Sequence, residues 1–128
     1  MARIGSRQRT TKETAIDVEV DLDRDVITDV LVSTGIPFLD HMLDQLGRHG
    51  GFGMRVTCKG DLHIDAHHTV EDVGIALCEA FGDALGDKAG VRRFASIRVP
   101  LDEALVDVAL DLSGRPYLHY EVEFPGEK

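Results

Sequence analysis

Tryptophan is absent from this chain of 128 residues, and it holds only two cysteines. No apolar run approaches the roughly 20 residues that a membrane-spanning helix needs, so no membrane partner is expected. Cys58 and Cys78 lack the spacing of a metal or redox motif, which predicts reduced packing residues in a cytoplasmic protein. A basic excess is also missing, because the formal net charge is −9. Since phosphate backbones are bound by concentrated basic faces, we expect no nucleic-acid partner either.

The basic residues near the N-terminus are spaced rather than clustered, and no apolar segment follows them, so we expect neither a signal peptide nor a transit peptide. The length corresponds to about one domain. Apolar periodicity predicts the order β-β-α-β-α-β-β-β, an α+β pattern with a mixed sheet and two helices packed on one face. The predicted strands cover 16–22, 26–32, 52–58, 94–99, 103–112 and 117–124, and the helices begin near Pro37 and His67 and end at the glycines around 47–51 and 86–90.

Two long strand segments match each other at an offset of 90 residues. Placing 13–22 over 103–112 gives five identities in ten positions, three of them acidic. The match predicts a duplicated β-β-α-β-α unit: residues 1–90 form a first repeat that carries the helix beginning at His67, and 91–128 form an incomplete second repeat of strands only, packed as a single globular unit. The alternative remains that two alternating amphipathic strands match by pattern alone.

Adjacent histidines followed by a glutamate, His67, His68 and Glu71, are the most informative motif. If they open a helix, His67 and Glu71 share one face, whereas His68 is rotated by roughly 100°. Imidazole and carboxylate together suit a divalent transition metal. The economical interpretation is two ions, one held by His67 and Glu71 and a second touched by His68. The alternative is a solvated helix start with acidic residues complementing the helix dipole.

If this motif binds metal, several other residues become candidates for the same site. His41 projects beside the apolar stripe of the first predicted helix, and it becomes a partner for the second ion if His68 lies near. Glu13 could act as a general base if water is excluded from it, although on the residues alone a solvated strand end is the stronger interpretation. Arginines suit phosphate through bidentate contacts. The candidate anion-binding arginines are Arg92, Arg93 and Arg115, and the candidate carboxylates for fixing imidazole tautomers are Asp40, Asp44, Asp65 and Asp72.

Six segments can be compared with a known family: Thr10-Thr-Lys-Glu-Thr14, Thr34-Gly-Ile-Pro-Phe-Leu-Asp-His-Met-Leu-Asp-Gln-Leu46, Gly60-Asp-Leu-His-Ile-Asp65, His67-His-Thr-Val-Glu-Asp72, Pro100-Leu-Asp-Glu-Ala-Leu105 and Asp111-Leu-Ser-Gly-Arg-Pro116. In this order, and across almost the whole chain, they resemble imidazoleglycerol-phosphate dehydratases. The resemblance implies a ribosomal protein S5 domain 2-like fold built from two similar repeats. It also implies a cytoplasmic lyase of histidine biosynthesis that binds two manganese ions and forms trimer-based homo-oligomers, up to a cubic 24-mer.

The resemblance also implies roles for particular residues. The implied reaction converts a small phosphate substrate, imidazoleglycerol phosphate, to imidazole acetol phosphate, with the imidazole ring as electron sink and Glu13 as the catalytic base. The implied metal ligands are His41, His67, His68 and Glu71. The implied substrate-binding residues are Glu13, His41, Gln45, His49, His67, His68, Glu71, Arg93 and Arg115.

The family's second repeat continues with helices, another histidine-rich metal motif and further phosphate-binding residues, none of which this chain contains. We therefore expect a truncated form that folds and oligomerises but binds metal weakly and has weak or no activity alone, because affinity falls when ligands are lost. Two alternatives stay open. One is an inert half of a metal site, or an oligomer-forming fragment. The other is a dinuclear metallohydrolase that uses a bridging hydroxide.

Overall fold

The computed structural model describes residues 2–126. By the density of its internal packing, this chain divides into a first unit that ends at Ala89 and a second unit that begins at Gly90. The elements in chain order are β1 (Ile4–Thr10), β2 (Thr14–Asp21), β3 (Val30–Ser33), α1 (Pro37–Gly50), β4 (Gly53–Gly60), α2 (His67–Leu85), β5 (Phe94–Leu101) and β6 (Ala104–Asp111).

A four-stranded mixed sheet in the order β1-β2-β4-β3 forms the first unit. β2 is antiparallel to both β1 and β4, whereas β3 runs parallel to β4. Apolar and polar residues alternate along β2 and β4, so one face of the sheet is buried and the other is exposed. α2 and α1 cover the buried face. The core residues are Ile16, Val18, Val20, Val30, Met54, Val56 and Cys58 from the sheet and Val73, Ala76, Leu77 and Ala80 from α2, with Leu43 of α1 packed against them.

Both helices begin and end where local signals predict. Pro37 occupies the first turn of α1, where its missing N–H is no loss. Gly51 follows the helix with φ of 74°, and its N–H donates to the carbonyl of Gly47. α2 begins at His67 and is closed by Gly86. Across residues 2–126 we find no helix with the length and apolar character required to cross a bilayer.

The second unit contains the antiparallel hairpin of β5 and β6. In this hairpin Phe94 pairs with Asp111, as Ile4 pairs with Asp21 in the hairpin of β1 and β2. Phe94 lies 90 residues after Ile4, and Asp111 lies 90 residues after Asp21. The N–H of Leu112 donates to the carbonyl of Arg93 at 3.0 Å, and the N–H of Leu22 donates to Arg3 at the same distance. The two hairpins therefore share one register, which supports the duplication suggested by the sequence match.

The predicted α+β class with a mixed sheet is confirmed, but the strand prediction needs two corrections. β1 was not predicted, because this edge strand is largely polar and only Gly5 of it is buried. The predicted strand at 117–124 is wrong: the segment has no strand structure, because no partner strand pairs with it among residues 2–126. The observed order is β-β-β-α-β-α-β-β. Packing of 1–90 and 91–128 as a single globular unit stays a prediction, and residues 127 and 128 lie outside the described range.

Candidate functional site

The N-terminal turn of α2 carries the histidine motif. Nε2 of His67 lies 3.4 Å from Oε2 of Glu71, one helical turn away, and both side chains are exposed. No side chain caps the helix through Ala66, but Asp65 accepts the backbone N–H of His67 at 2.8 Å. The first backbone N–H groups of a helix have no partner within the helix, so a carboxylate such as that of Asp65 is favoured at the start of α2.

His68 diverges from His67 as helical geometry predicts. The two ring centroids are 5.6 Å apart and the ring planes are inclined by 72°. Nδ1 of His68 lies 2.8 Å from Oδ2 of Asp61, in the loop that follows β4. This hydrogen bond raises the pKa of His68, and the negative charges of Asp61, Glu13 and Asp72 act in the same direction. The negative charge of Glu13 therefore favours the protonated form of the His68 ring, which raises the pKa of His68.

The start of α2 is held against the sheet by buried contacts. Thr69 is fully buried beside Gly60, where an added Cβ would meet Thr69 Oγ1 at 2.0 Å. The hydroxyl of Thr14, at the start of β2, donates to Oδ2 of Asp72 at 2.6 Å. Only a residue without a side chain permits this approach at position 60. The helix start is thereby tied to the ends of both central strands.

Glu13 lies in the turn between β1 and β2, one residue before β2 begins, which agrees with the strand-end position expected from the sequence. Its backbone N–H donates to Oγ1 of Thr11 at 3.1 Å. Its carbonyl accepts the N–H of Asp61 at 3.0 Å. Glu13 is exposed, while its backbone is anchored on both sides, so the turn fixes the point at which this side chain leaves the backbone.

The candidate residues of α1 form a separate group. His41 is exposed, and Nε2 of His49 lies 2.9 Å from Oε1 of Gln45. Within residues 2–126, no three His, Cys, Asp or Glu side chains come close enough together to hold a metal ion. The structure therefore brings His67 together with Glu71, but it does not bring His41 into the same cluster.

The donor set fits a divalent transition metal only in part. His67 Nε2 and Glu71 Oε2 stand close enough to chelate one ion, and their exposure leaves room for further ligands. His68 offers a single ring nitrogen, because its other nitrogen faces Asp61. The described residues thus offer a pair of donor atoms at one place and a single ring nitrogen at another.

In the second unit, Arg93 is engaged by a neighbouring carboxylate. Its Nε lies 2.7 Å from Oδ1 of Asp111, and its Nη2 lies 3.3 Å from Oδ2. This pairing lowers the pKa of Asp111 and raises the pKa of Arg93. The guanidinium also stacks 4.8 Å above the ring of Phe94. The side chain of Arg115 is exposed, and its backbone N–H donates to Ser113 Oγ at 3.1 Å. A phosphate at Arg93 has to compete with Asp111.

The predicted carboxylate partners of the imidazoles are wrong. Asp40 accepts from the backbone and hydroxyl of Thr34, Asp44 pairs with Arg48, Asp65 takes a backbone N–H, and Asp72 takes Thr14. Outside the motif itself, the carboxylate that contacts one of its histidine rings is Asp61, which we did not predict. The available signal was its place directly after β4, where the chain turns back towards α2.

The sequence of this chain is similar to those of known proteins. The family model described as imidazoleglycerol-phosphate dehydratase matches residues 34–128. An imidazoleglycerol-phosphate dehydratase of Streptomyces avermitilis is 60% identical over 124 residues, which cover 96% of this chain and 62% of the relative. A histidine biosynthesis bifunctional protein of Stenotrophomonas maltophilia is 55% identical over 121 residues, covering 94% of this chain and 33% of that protein.

Solved structures of imidazoleglycerol-phosphate dehydratases also share the fold of this chain. The crystal structure of imidazoleglycerol-phosphate dehydratase from Staphylococcus aureus matches with a TM-score of 0.80 and 30% identity, over 98% of this chain and 67% of that one. The enzyme from Pyrococcus furiosus matches with a TM-score of 0.71 and 35% identity, over 95% and 63% respectively. This chain therefore spans about 62% of the length of the Streptomyces relative.

Proposed function

This chain belongs to the imidazoleglycerol-phosphate dehydratase family, and from that premise we propose that it contributes to the manganese-dependent dehydration of imidazoleglycerol phosphate to imidazole acetol phosphate in histidine biosynthesis. The observation that supports this most is the divergence of two adjacent imidazoles. His67 pairs with Glu71, while His68 turns towards Asp61. Two donor groups that point in different directions from one helical turn suit two separate ions.

The roles of the histidines and Glu71 follow from this divergence. His67 and Glu71 hold one manganese ion, and His68 holds the second with His41 as its partner. Since His41 lies outside the cluster within this chain, we propose that it completes a site on another copy in a homo-oligomer built from trimers. When bound, manganese supplies Lewis-acid polarisation of the substrate's imidazole ring.

Glu13 acts as the base in this proposal. Its carboxylate removes the proton from the carbon that keeps its hydroxyl, while hydroxide leaves the carbon next to the ring, and the resulting enol becomes the ketone. Its charge already influences His68, so the base lies on the same side of the fold as one proposed ligand. The turn fixes the backbone of Glu13, and a positioned general base typically contributes about 10²–10⁴-fold to the rate.

The remaining residues bind the rest of the substrate. Arg93 and Arg115 bind the phosphate, and the guanidinium of Arg93 exchanges Asp111 for the substrate when it does so. The row of Gln45 and His49 on α1 contacts the substrate beside His41. The 128-residue chain alone binds manganese weakly and turns over poorly or not at all, because its described residues offer no cluster of three donors.

A chimera tests this proposal. We join this chain to the part of the Streptomyces avermitilis enzyme that follows the matched region, and assay dehydration with Mn²⁺. We expect the chimera to be active and the 128-residue chain to be nearly inactive. Glu13→Gln in the chimera should lower kcat by at least about 10²-fold, whereas the control Asp17→Asn, on the exposed face of β2, should leave kcat unchanged. Full turnover of the Glu13→Gln chimera would rule out the proposed base.

A second candidate is an inert half of a metal site, favoured by the absence of three converging donors among residues 2–126. Calorimetric titration of the 128-residue chain with Mn²⁺ separates the two. Weak binding that is lost in His67→Ala supports the partial site, and no heat in either protein supports the inert fragment. Hydrolysis of simple phosphate esters by the chimera, without dehydration, would instead indicate a dinuclear metallohydrolase.

A further inference from the structure

Asp61 contacts both the proposed base, Glu13, and a proposed metal ligand, His68. Its Oδ2 lies 2.8 Å from Nδ1 of His68. Its backbone N–H donates at 3.0 Å to the carbonyl of Glu13. The Asp61 side chain is only 16% exposed, so this carboxylate is largely shielded from competing water. One residue therefore contacts both parts of the candidate site.

The chemistry of this contact decides the tautomer of His68. An ionised carboxylate has acceptor sites only, so the ring nitrogen that faces it must carry the proton. A neutral His68 beside Asp61 is therefore protonated on Nδ1, and the lone pair is on Nε2. We propose that Asp61 is a positioning residue that holds His68 in this tautomer and so leaves Nε2 as the metal-binding atom. The ligand role of His68 in this inference rests on the proposed function.

Folding stability alone does not account for the arrangement. Oδ1 of Asp61 is buried and has no hydrogen-bond partner among the described residues, and burying an unpaired polar atom opposes folding. His68 is more exposed than Asp61, so water can replace the carboxylate at Nδ1. We therefore expect that removing the Asp61 side chain leaves stability nearly unchanged while it releases the His68 ring.

Two nearby carboxylates already have other partners. Asp65 is engaged by the backbone N–H of His67, and Asp72 by the hydroxyl of Thr14. The link from Asp61 to Glu13 runs through the backbone, so it survives side-chain truncation. Asp61→Ala consequently isolates the effect on His68 from any effect on the turn that carries Glu13.

The test uses the metal-free 128-residue chain labelled with 15N-histidine, at an alkaline pH at which the nitrogen chemical shifts show a neutral His68 ring. Long-range proton–nitrogen spectra identify the tautomer, and His68→Ala assigns the signals. We expect Nδ1–H in the unsubstituted chain and a shift to Nε2–H, which free histidine favours, in Asp61→Ala. Asp61→Asn keeps an acceptor oxygen and should retain Nδ1–H, and the control Asp65→Ala should not change His68. Circular dichroism confirms that each variant is folded.

Addition of Zn²⁺, a diamagnetic probe, provides a second readout. We expect the Zn²⁺-dependent shift of His68 Nε2 to require about 10–100-fold more metal in Asp61→Ala. An unchanged tautomer in folded Asp61→Ala, or Nε2–H in the unsubstituted chain, would overturn the inference. A tautomer change without any effect of Zn²⁺ on His68 would support the role of Asp61 and refute the ligand role that the proposed function gives to His68.

Discussion

Replacing Asp72 by alanine removes the acceptor of a hydrogen bond that joins α2 to the start of β2. Thr14 Oγ1 donates to Asp72 Oδ2 at 2.6 Å, and the two residues are only 3% and 8% exposed. Arg9 and Thr11 approach the same carboxylate at 3.4 and 3.5 Å, which is too long for strong bonds. The Thr14 bond therefore dominates the interactions of this carboxylate.

The magnitude follows from the charge and the burial. A hydrogen bond to a charged group contributes about 1.5–3 kcal/mol, and an abandoned buried donor costs about 1–3 kcal/mol. We expect Asp72→Ala to lower the free energy of unfolding by about 2–3 kcal/mol, and Thr14→Val, which keeps the shape of the side chain, by about 1.5–3 kcal/mol. Because both single changes break the same bond, the double variant should cost little more than the larger single change.

Urea unfolding followed by circular dichroism at the helical minimum measures these values, because α1 and α2 both lie in the first unit and report its unfolding. The exposed residue Asp17 provides the control, and Asp17→Ala should change stability by less than about 0.5 kcal/mol. Additivity of the two single changes to within about 0.5 kcal/mol would show that Thr14 and Asp72 do not interact, and it would refute the reasoning.

Three further expectations concern the same unit. Gly60→Ala should destabilise it by about 1–3 kcal/mol and shift the His68 NMR signals, because the new Cβ would lie 2.0 Å from Thr69 Oγ1; unchanged stability in urea would contradict this close approach. Met54→Ala should cost about 2–5 kcal/mol by the same assay, since this side chain is fully buried in the core. The hydrogen bond from Arg3 lowers the pKa of Asp23 to about 2 from an ordinary value of 3.8. The stability that the ionised Asp23 contributes is therefore present above pH 4 and is lost as the pH falls towards 2. In Asp23→Asn, the urea concentration at the unfolding midpoint should change less with pH over this range.

Helical features of this protein could be predicted from the chain because they depend on neighbours within a few residues. Pro37 and Gly51 delimit α1, and an apolar stripe with a closing glycine delimits α2. The divergence of His67 and His68 follows from the helical rotation of about 100° per residue. The metal, substrate and catalytic roles of the candidate residues stay predictions, since no observation on this molecule tests them.

Strand pairing could be predicted less well, because it joins segments that are distant along the chain. β1 is polar and gave no apolar alternation, but it pairs with β2 at the sheet edge. The segment 117–124 alternates well and still forms no strand, since a strand needs a partner's backbone groups. The pairing of Asp61 with His68 was missed for a related reason, because it depends on how the loop after β4 returns to the helix.

The helices, the α+β class and the divergent directions of the two imidazoles were determined by the sequence, because each arises from short-range periodicity and backbone geometry. Tertiary structure alone decided which carboxylate meets which donor. Asp72 reaches Thr14 across 58 residues, and Asp61 contacts both His68 and Glu13. Such partners are selected by the packing of α2 on the sheet, which depends on close contacts between distant segments, and no local pattern encodes them.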